Sequence, residues 1–101
     1  MKVMKMNIAL LRKKSLEVAD TLKILGHPKR LVILCCLLDG PKSVSELEKF
    51  CEGSQSQTSQ FLKRMELEKL LKKKKDGHFI FYEIKDQKLV KLINQIKKIY
   101  C

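Results

Sequence analysis

Hydrophobic residues recur at helical spacing through the first part of the chain. Residues 7–25 carry an apolar stripe close to a heptad repeat, which predicts a first helix that ends at Gly26. The members of this stripe are Leu11, Ser15, Val18, Leu22 and Leu25. A second helix is predicted to begin at Pro28, because proline suits a first turn, and to stop before Gly40-Pro41. It is apolar nearly all round, so we expect it at the centre of the core.

A capping box marks the start of the third helix. Ser43 and Glu46 have the spacing at which each side chain bonds the other residue's backbone N–H. The helix is predicted to run to about Cys51, with Leu47 and Phe50 directed inward.

The fourth helix is predicted over residues 54–65, after a turn at Gly53. Ser54 is its expected N-cap, with Gln57 as the partner in a second capping box. The buried stripe of this helix consists of Thr58, Phe61, Leu62 and Met65. Two helices joined by a short glycine turn form the helix-turn-helix pattern, with the second as the recognition helix.

Two strands and a last helix complete the pattern. Residues 70–75 and 79–84 flank Asp76-Gly77, a strong hairpin signal, and the basic hairpin has the position of a wing. Asp86 is expected to cap the last helix. Its apolar face holds Leu89, Leu92, Ile93, Ile96, Ile99 and Tyr100. The fold class is therefore predicted to be mainly α with a small β-hairpin wing, a winged helix-turn-helix of order α-α-α-α-β-β-α.

The terminal helices predict an oligomer. We expect one domain over residues 1–101, with residues 1–6 as a frayed leader. A terminal helix as apolar as the last one needs a partner, and the first helix is the obvious one. Pairs of these helices would form a dimer interface. A helix-turn-helix dimer then places two recognition helices about 34 Å apart on a palindromic site.

The charge of the chain points to a polyanion. Its 22 basic and 11 acidic residues give a net charge of +11, which favours nucleic acid. No helix pairs a purely basic face with a purely apolar one, so a membrane surface is the poorer target. No apolar run approaches the roughly 18 residues of a membrane span, and no signal peptide is evident. We therefore expect a cytoplasmic protein that binds double-stranded DNA.

The outer face of the fourth helix carries amides and hydroxyls, which can bond base edges, followed by cations, which can reach phosphates. The candidates for base reading are Gln55, Ser56, Gln57, Ser59 and Gln60. The candidates for phosphate contact are Lys63 and Arg64 on the helix and Lys74 and Lys75 on the wing. Each feature also has an interpretation that does not involve DNA. The polar helix face could be an ordinary solvent-exposed surface, and the wing lysines could serve only to protect an edge strand from aggregation.

Several segments together resemble the ArsR/SmtB family of winged-helix repressors. They are LKILGHPKRLVIL at 22–34, SVSELE at 43–48, SQSQTSQFLKRM at 54–65, FIFYEI at 79–84, and the last helix. The resemblance covers nearly the whole chain. It implies a homodimeric repressor with a regulatory ligand or a redox input.

The metal sites known in that family are not expected here. Where one family site uses two cysteines, this chain has Ser43-Val44-Ser45, and the ligands of the other site at the last helix are missing. His27 and His78 are the two histidines, and each is assigned a structural role. We therefore expect no metal and no cofactor.

Four cysteines remain to be explained. From the residues alone, Cys35, Cys36, Cys51 and Cys101 could be core-filling residues, metal ligands or redox groups, and no pair has the C-x-x-C spacing. The positions of Cys35 and Cys101 resemble those of the sulfide- and oxidant-responsive family members of the BigR, SqrR and HlyU type. That resemblance implies a dithiol switch in which a disulfide or polysulfide bridge between the two lowers DNA affinity. Cys36 and Cys51 match no sensor position, so they are expected to be core-filling residues or incidental thiols.

Three residues depart from the family pattern. Glu66 stands where a cation is common, and Phe61 replaces a frequent histidine. Lys69 stands where glycine is usual, so it must adopt a left-handed conformation or change the turn.

The sequence as a whole predicts a repressor controlled by Cys35 and Cys101, with reactive sulfur species or oxidants as inducers. One alternative is a metal-responsive repressor with an unusual cysteine site. Another is an antirepressor that binds DNA and displaces a second protein. An enzyme is not expected, because the chain has neither a nucleophile–base constellation nor a glycine-rich phosphate loop.

Overall fold

The computed structural model describes residues 7–51 and 55–101. In this part of the chain the helices are α1 (Ile8–Leu25), α2 (Pro28–Cys36), α3 (Val44–Phe50), α4 (Gln55–Leu67) and α5 (Gln87–Tyr100). The strands are β1 (Lys42–Ser43), β2 (Leu71–Asp76) and β3 (Phe79–Ile84), and a 3₁₀ turn at Leu37–Asp39 follows α2. The predicted fold class is confirmed, and the predicted helices and strands occur in the predicted order, with one additional strand, β1, between α2 and α3. The expected turn at Gly53, the cap at Ser54 with its box to Gln57, and the leader at 1–6 lie outside the described residues.

Local capping fixes where the helices start. The Ser43 hydroxyl accepts from the Glu46 N–H at 3.1 Å, and the Glu46 carboxylate accepts from the Ser43 N–H at 3.0 Å. The Asp86 carboxylate accepts from the Lys88 N–H at 2.9 Å, which caps α5. Both predicted caps are therefore confirmed. His27 caps α2, its Nδ1 accepting from the backbone N–H of Lys29 at 3.2 Å.

The core surrounds α2, as the sequence predicts. Ile33 and Leu34 of α2 are fully buried, together with Leu47 of α3, Met65 of α4 and Ile93 of α5. One hydrophobic cluster thus joins both helices of the helix-turn-helix to the last helix. The burial of this stripe sets the direction in which α4 presents its outer face.

The inward assignment of Phe50 is wrong. Its side chain is 57% exposed, whereas Cys51, one residue later, is buried in the core. One turn after Leu47, the residue that packs in the core is therefore Cys51, four positions later. Phe50, three positions after Leu47, is the last residue of α3 and faces solvent.

The wing is part of a three-stranded antiparallel sheet of order β1-β3-β2. The sequence analysis did not predict β1, in which Lys42 pairs with Tyr82 and Ser43 pairs with Phe81. This third strand ties the hairpin to the segment that starts α3.

The turn between α4 and the wing is a Schellman motif closed by Lys69. The Leu70 N–H donates to the Met65 carbonyl at 2.9 Å, and the Lys69 N–H donates to the Glu66 carbonyl at 2.9 Å. Lys69 has a φ of 63°, in the left-handed region. Of the two outcomes expected for Lys69, a left-handed conformation or a changed turn, the structure has the left-handed conformation.

Helix α1 projects from the body of the molecule. Only Ile24 and Leu25 of its residues are buried, while the stripe residues Leu11, Val18 and Leu22 are about half exposed. The radius of gyration is 15.5 Å, against about 13 Å for a compact domain of this length. None of the described helices combines the length and apolarity needed to cross a membrane.

Candidate DNA-binding surface and thiol pair

The candidate DNA-reading side chains divide among three sides of α4. Thr58, Leu62 and Met65 are buried and define the inward side. On the opposite, solvent side the structure places Ser56 and Gln60, both exposed. Helical spacing puts these two residues one turn apart on one face. That face can therefore enter a DNA groove while the inward side stays packed in the core.

The wing side of α4 forms one wall of a groove of about 390 Å³. Gln55, Ser59 and Lys63 of α4 line it, opposite Lys73, His78 and Phe79 of the hairpin. Polar donors from the helix and one lysine from each wall, Lys63 and Lys73, therefore converge on one concave surface, which Glu48 of α3 also lines. Such a surface fits the polyanionic backbone of DNA.

The third side of α4 faces α1 and α2, and two of its side chains make contacts within the protein. The Gln57 side-chain oxygen accepts a hydrogen bond from Lys29 Nζ of α2. Arg64 Nε donates to the Glu68 carboxylate at 3.1 Å. Arg64 also opens onto a second cavity, of about 730 Å³, away from the wing groove. The structure therefore separates Gln57 and Arg64 from the other candidate residues of α4.

The wing lysines fall into two classes. Lys72 pairs with Glu83 across the hairpin at 3.1 Å, and Lys73 pairs with Glu66 of α4 at 3.8 Å. Lys74 and Lys75 are exposed and form no ion pair within residues 7–51 and 55–101. The two predicted phosphate-contacting lysines are thus the ones whose charge is not neutralised nearby. Glu66, a departure from the family pattern, serves to hold Lys73 against α4.

Aromatic contacts join the start of α2 to α4. The ring of Phe61 lies 4.7 Å from that of His27, centroid to centroid. The Arg30 guanidinium lies 5.2 Å from the centre of the same ring, within cation–π range. Together with the Lys29–Gln57 hydrogen bond, these contacts make the N-terminal turn of α2 a support for the recognition helix. No sequence pattern points to Lys29, because its partner is 28 positions away.

All four cysteines are free thiols, in different surroundings. Burial raises the pKa of Cys35, and the thiols of Cys36 and Cys101 raise it further, while Lys97 lowers it. Cys101 and Lys97 therefore act electrostatically on Cys35 from the end of α5. Cys35 is half-buried and Cys101 is exposed. The Cys101 N–H donates to the Lys97 carbonyl at 2.8 Å, so the two residues lie one helical turn apart.

The other two thiols belong to the packing around α2 and α3. Cys51 is buried in the core and Cys36 packs against it. Burial is the main cause that raises the pKa of each. Within the described ranges no group of three histidine, cysteine, aspartate or glutamate side chains is placed to hold a metal ion.

The chain is similar to bacterial transcription regulators over almost its whole length. The model of the arsR family of bacterial regulatory proteins matches residues 27–73. The HTH-type transcriptional regulator YgaV of Escherichia coli is 39% identical over 93% of this chain and 96% of its own. The crystal structure of the transcriptional repressor BigR from Xylella fastidiosa superposes with a TM-score of 0.88, at 33% identity over 95% of this chain and 98% of that one.

A second solved structure adds to the comparison. Reduced HlyU from Vibrio cholerae superposes with a TM-score of 0.84, at 33% identity over 90% of this chain and 96% of that chain. These proteins are transcription regulators, and BigR and HlyU share the fold of this chain. The chain therefore belongs to the ArsR family, in the same group of winged-helix regulators as BigR and HlyU, and is a DNA-binding transcriptional regulator.

Proposed function

We propose that this protein is a homodimeric repressor whose operator affinity falls when Cys35 and Cys101 become joined through sulfur. The observation that carries the proposal is the packing of Cys35 of α2 and Ile96 of α5 against the same core cluster, with Cys101 directly after α5. The raised pKa of Cys35, to which Cys101 contributes after burial and Cys36, is consistent with that placement. A bridge within the chain is therefore favoured over one between chains.

The inducer we assign is an organic persulfide, R–S–SH. The exposed Cys101 thiolate attacks the terminal sulfur, forming Cys101–S–SH and releasing RS⁻, which takes up a proton. The Cys35 thiolate then attacks Cys101 Sγ, forming the disulfide and expelling HS⁻. Two protein thiols are oxidised, and the persulfide is reduced to RSH and H₂S. Cys101 goes first because it is exposed, whereas the pKa of Cys35 is raised by burial.

The bridge would act on DNA binding through α2. A link between Cys35 and Cys101 ties this helix to α5, and its N-terminal turn contacts α4 through Lys29–Gln57 and His27–Phe61. A small shift of α2 therefore reaches the recognition helix directly. A coupling of about 1–3 kcal/mol would change operator affinity roughly 5- to 150-fold.

The dimer is supported by apolar surface that one chain leaves uncovered. Leu11, Val18 and Leu22 of α1 are about half exposed, and Ile99 and Tyr100 of α5 are 73% and 82% exposed. Burial of such surface between two copies is favourable by about 25 cal/mol per Å². A two-fold dimer through these helices would set the separation of the two recognition helices.

The experiment is to measure binding to a palindromic operator, selected by the reduced protein from a random pool, before and after treatment with an organic persulfide. Mass spectrometry of the same samples locates the bridge and detects added sulfur. We expect weaker binding together with a Cys35–Cys101 link, and no loss of binding in Cys35→Ser or Cys101→Ser. Cys36→Ser and Cys51→Ser are the matched controls and should respond like the wild type.

The result that contradicts the switch is unchanged binding after persulfide, or a bridge at Cys36 or Cys51. Denaturing electrophoresis without reductant separates the two pairings, since a bridge within the chain leaves the mass of a single chain. Sedimentation of the reduced protein tests the dimer independently.

A further inference from the structure

We propose that the wing carries an apolar wedge, Phe79, which enters the DNA minor groove and bends the duplex. The inference goes beyond the switch and rests on operator binding alone. Phe79 lies beside the turn of the hairpin and is 61% exposed, and its neighbour Ile80 is 39% exposed. A basic hairpin normally protects its tip with charge, and exposed apolar residues there raise the risk of aggregation. We therefore expect a binding partner to cover Phe79 and Ile80.

The tip of the hairpin is narrow. Asp76 pairs with Phe79, so only Gly77 and His78 form the turn. Gly77 has a φ of 61°, while His78 does not have a positive φ, which fits a type II′ turn with glycine at its first central position. A two-residue turn gives the least bulky end that a hairpin can have. That end can approach a minor groove about 6 Å wide.

The ring of Phe79 is supported from behind. Its centroid lies 6.5 Å from that of Phe81 at an interplanar angle of 51°, a tilted aromatic pair. Phe81 is itself half-buried where β3 pairs with β1. The contact limits the motion of the Phe79 ring before DNA arrives, which reduces the entropy lost on insertion.

The lysines near the tip favour DNA as the occupant, and Asp76 is the one acidic residue of the two strands at this end. Lys75 pairs with Ile80 across the hairpin, and Lys74 precedes it, both without an acidic partner in the described part of the chain. Cationic side chains favour the negative potential of a narrow minor groove. Proteins that place phenylalanine or isoleucine between base steps there bend the duplex by roughly 20–90°.

The test uses the reduced full-length protein and an operator duplex, selected from a random pool, with a fluorescent dye at each end. Energy transfer between the dyes reports the bend, and permanganate oxidation reports unstacked thymines. We expect the wild type to shorten the dye separation and expose one step on each side of the operator centre. Phe79→Ala should abolish both signals and weaken binding roughly tenfold, whereas Phe79→Leu should keep most of the bend.

Phe50→Ala is the matched control, because Phe50 is 57% exposed but lies on α3 beside Pro28 and Val32, away from the wing groove. It should bend DNA like the wild type. A wild type that binds unbent DNA, or a Phe79→Ala protein that bends it equally, overturns the wedge and leaves repression intact. A weaker Phe79→Ala complex with an unchanged bend also overturns it. A wild type that binds no duplex overturns both proposals.

Discussion

Lys29 Nζ of α2 donates a hydrogen bond to the side-chain oxygen of Gln57 on α4, and this contact joins the helix that carries Cys35 to the helix that carries the candidate base readers. It connects residues 28 positions apart through two half-buried side chains. Gln57 therefore contacts α2 directly, so a movement of α2 changes the surroundings of its side chain. Gln60 faces solvent, and its role is different.

Replacement of Lys29 by Met should reduce the response to persulfide more than it reduces DNA binding. The lost hydrogen bond is worth about 0.5–1.5 kcal/mol, so the ratio of reduced to bridged operator affinity should fall roughly two- to tenfold. Lys91→Met removes one exposed charge on α5 and controls for the general loss of positive charge. Fluorescence anisotropy gives both affinities. An identical ratio in the two variants would show that this hydrogen bond does not couple α2 to α4.

Gln60→Ala and Lys74→Ala should weaken binding in different ways. Gln60 lies on the solvent side of α4, where its amide can bond a base, so its loss should cost about 1–3 kcal/mol and relax specificity at one position. Lys74 contributes charge without base readout, so its loss should weaken all sequences alike and reduce the salt slope by about one. Binding to a set of single-base operator variants at several salt concentrations distinguishes the two. Equal losses on every sequence for both variants would disprove this division of roles.

The elements that the sequence predicted well are those determined by local spacing. The capping box of Ser43 and Glu46 depends on residues three positions apart. For Lys69 the sequence left two outcomes open, and the structure has the left-handed one. Hydrophobic periodicity likewise placed α2 at the centre of the core, because a helix that is apolar all round has no side that favours water.

The features that the sequence did not predict depend on distant partners. Strand β1 has only two residues, Lys42 and Ser43, and exists because β3 pairs with it. The outward side chain of Phe50 depends on whether the i+3 or the i+4 position of a short helix meets the core. The hydrogen bond between Lys29 and Gln57 joins residues 28 positions apart, so no local sequence pattern predicts it. The proposed pairing of Cys35 with Cys101 rests on family resemblance, not on spacing, and stays a prediction.

Lys97→Met should slow closure of the bridge, and the reaction should depend on pH. The pKa of Cys35 lies above its ordinary 9.0, mainly through burial, so only a small fraction is thiolate at neutral pH. The rate of closure should therefore rise with pH until the pH passes that raised pKa. Lys97 lowers this pKa, so its loss raises the pKa further. At neutral pH closure should slow roughly two- to fivefold.

Lys98→Met is the control for this experiment, because Lys98 is the next residue and is not among the charges that act on Cys35. Rapid-quench mass spectrometry after persulfide treatment follows Cys101–S–SH and the closed bridge separately. Lys97→Met should form the first species at the wild-type rate and accumulate it. Equal closure rates in the two lysine variants would contradict the assigned role of Lys97.

Lys69→Gly should stabilise the protein. Lys69 closes the Schellman motif after α4 with a φ of 63°, a conformation that costs a residue with a Cβ about 1–2 kcal/mol and costs glycine almost nothing. The greater freedom of glycine in the unfolded chain offsets part of the gain, so the free energy of unfolding should rise by about 1 kcal/mol. Lys69→Ala is the matched control, because it removes the same charge but keeps the Cβ. Urea unfolding at one fixed protein concentration measures both, since the stability of the proposed dimer would depend on concentration. If alanine stabilised the protein as much as glycine, charge rather than backbone strain would set the stability at this turn.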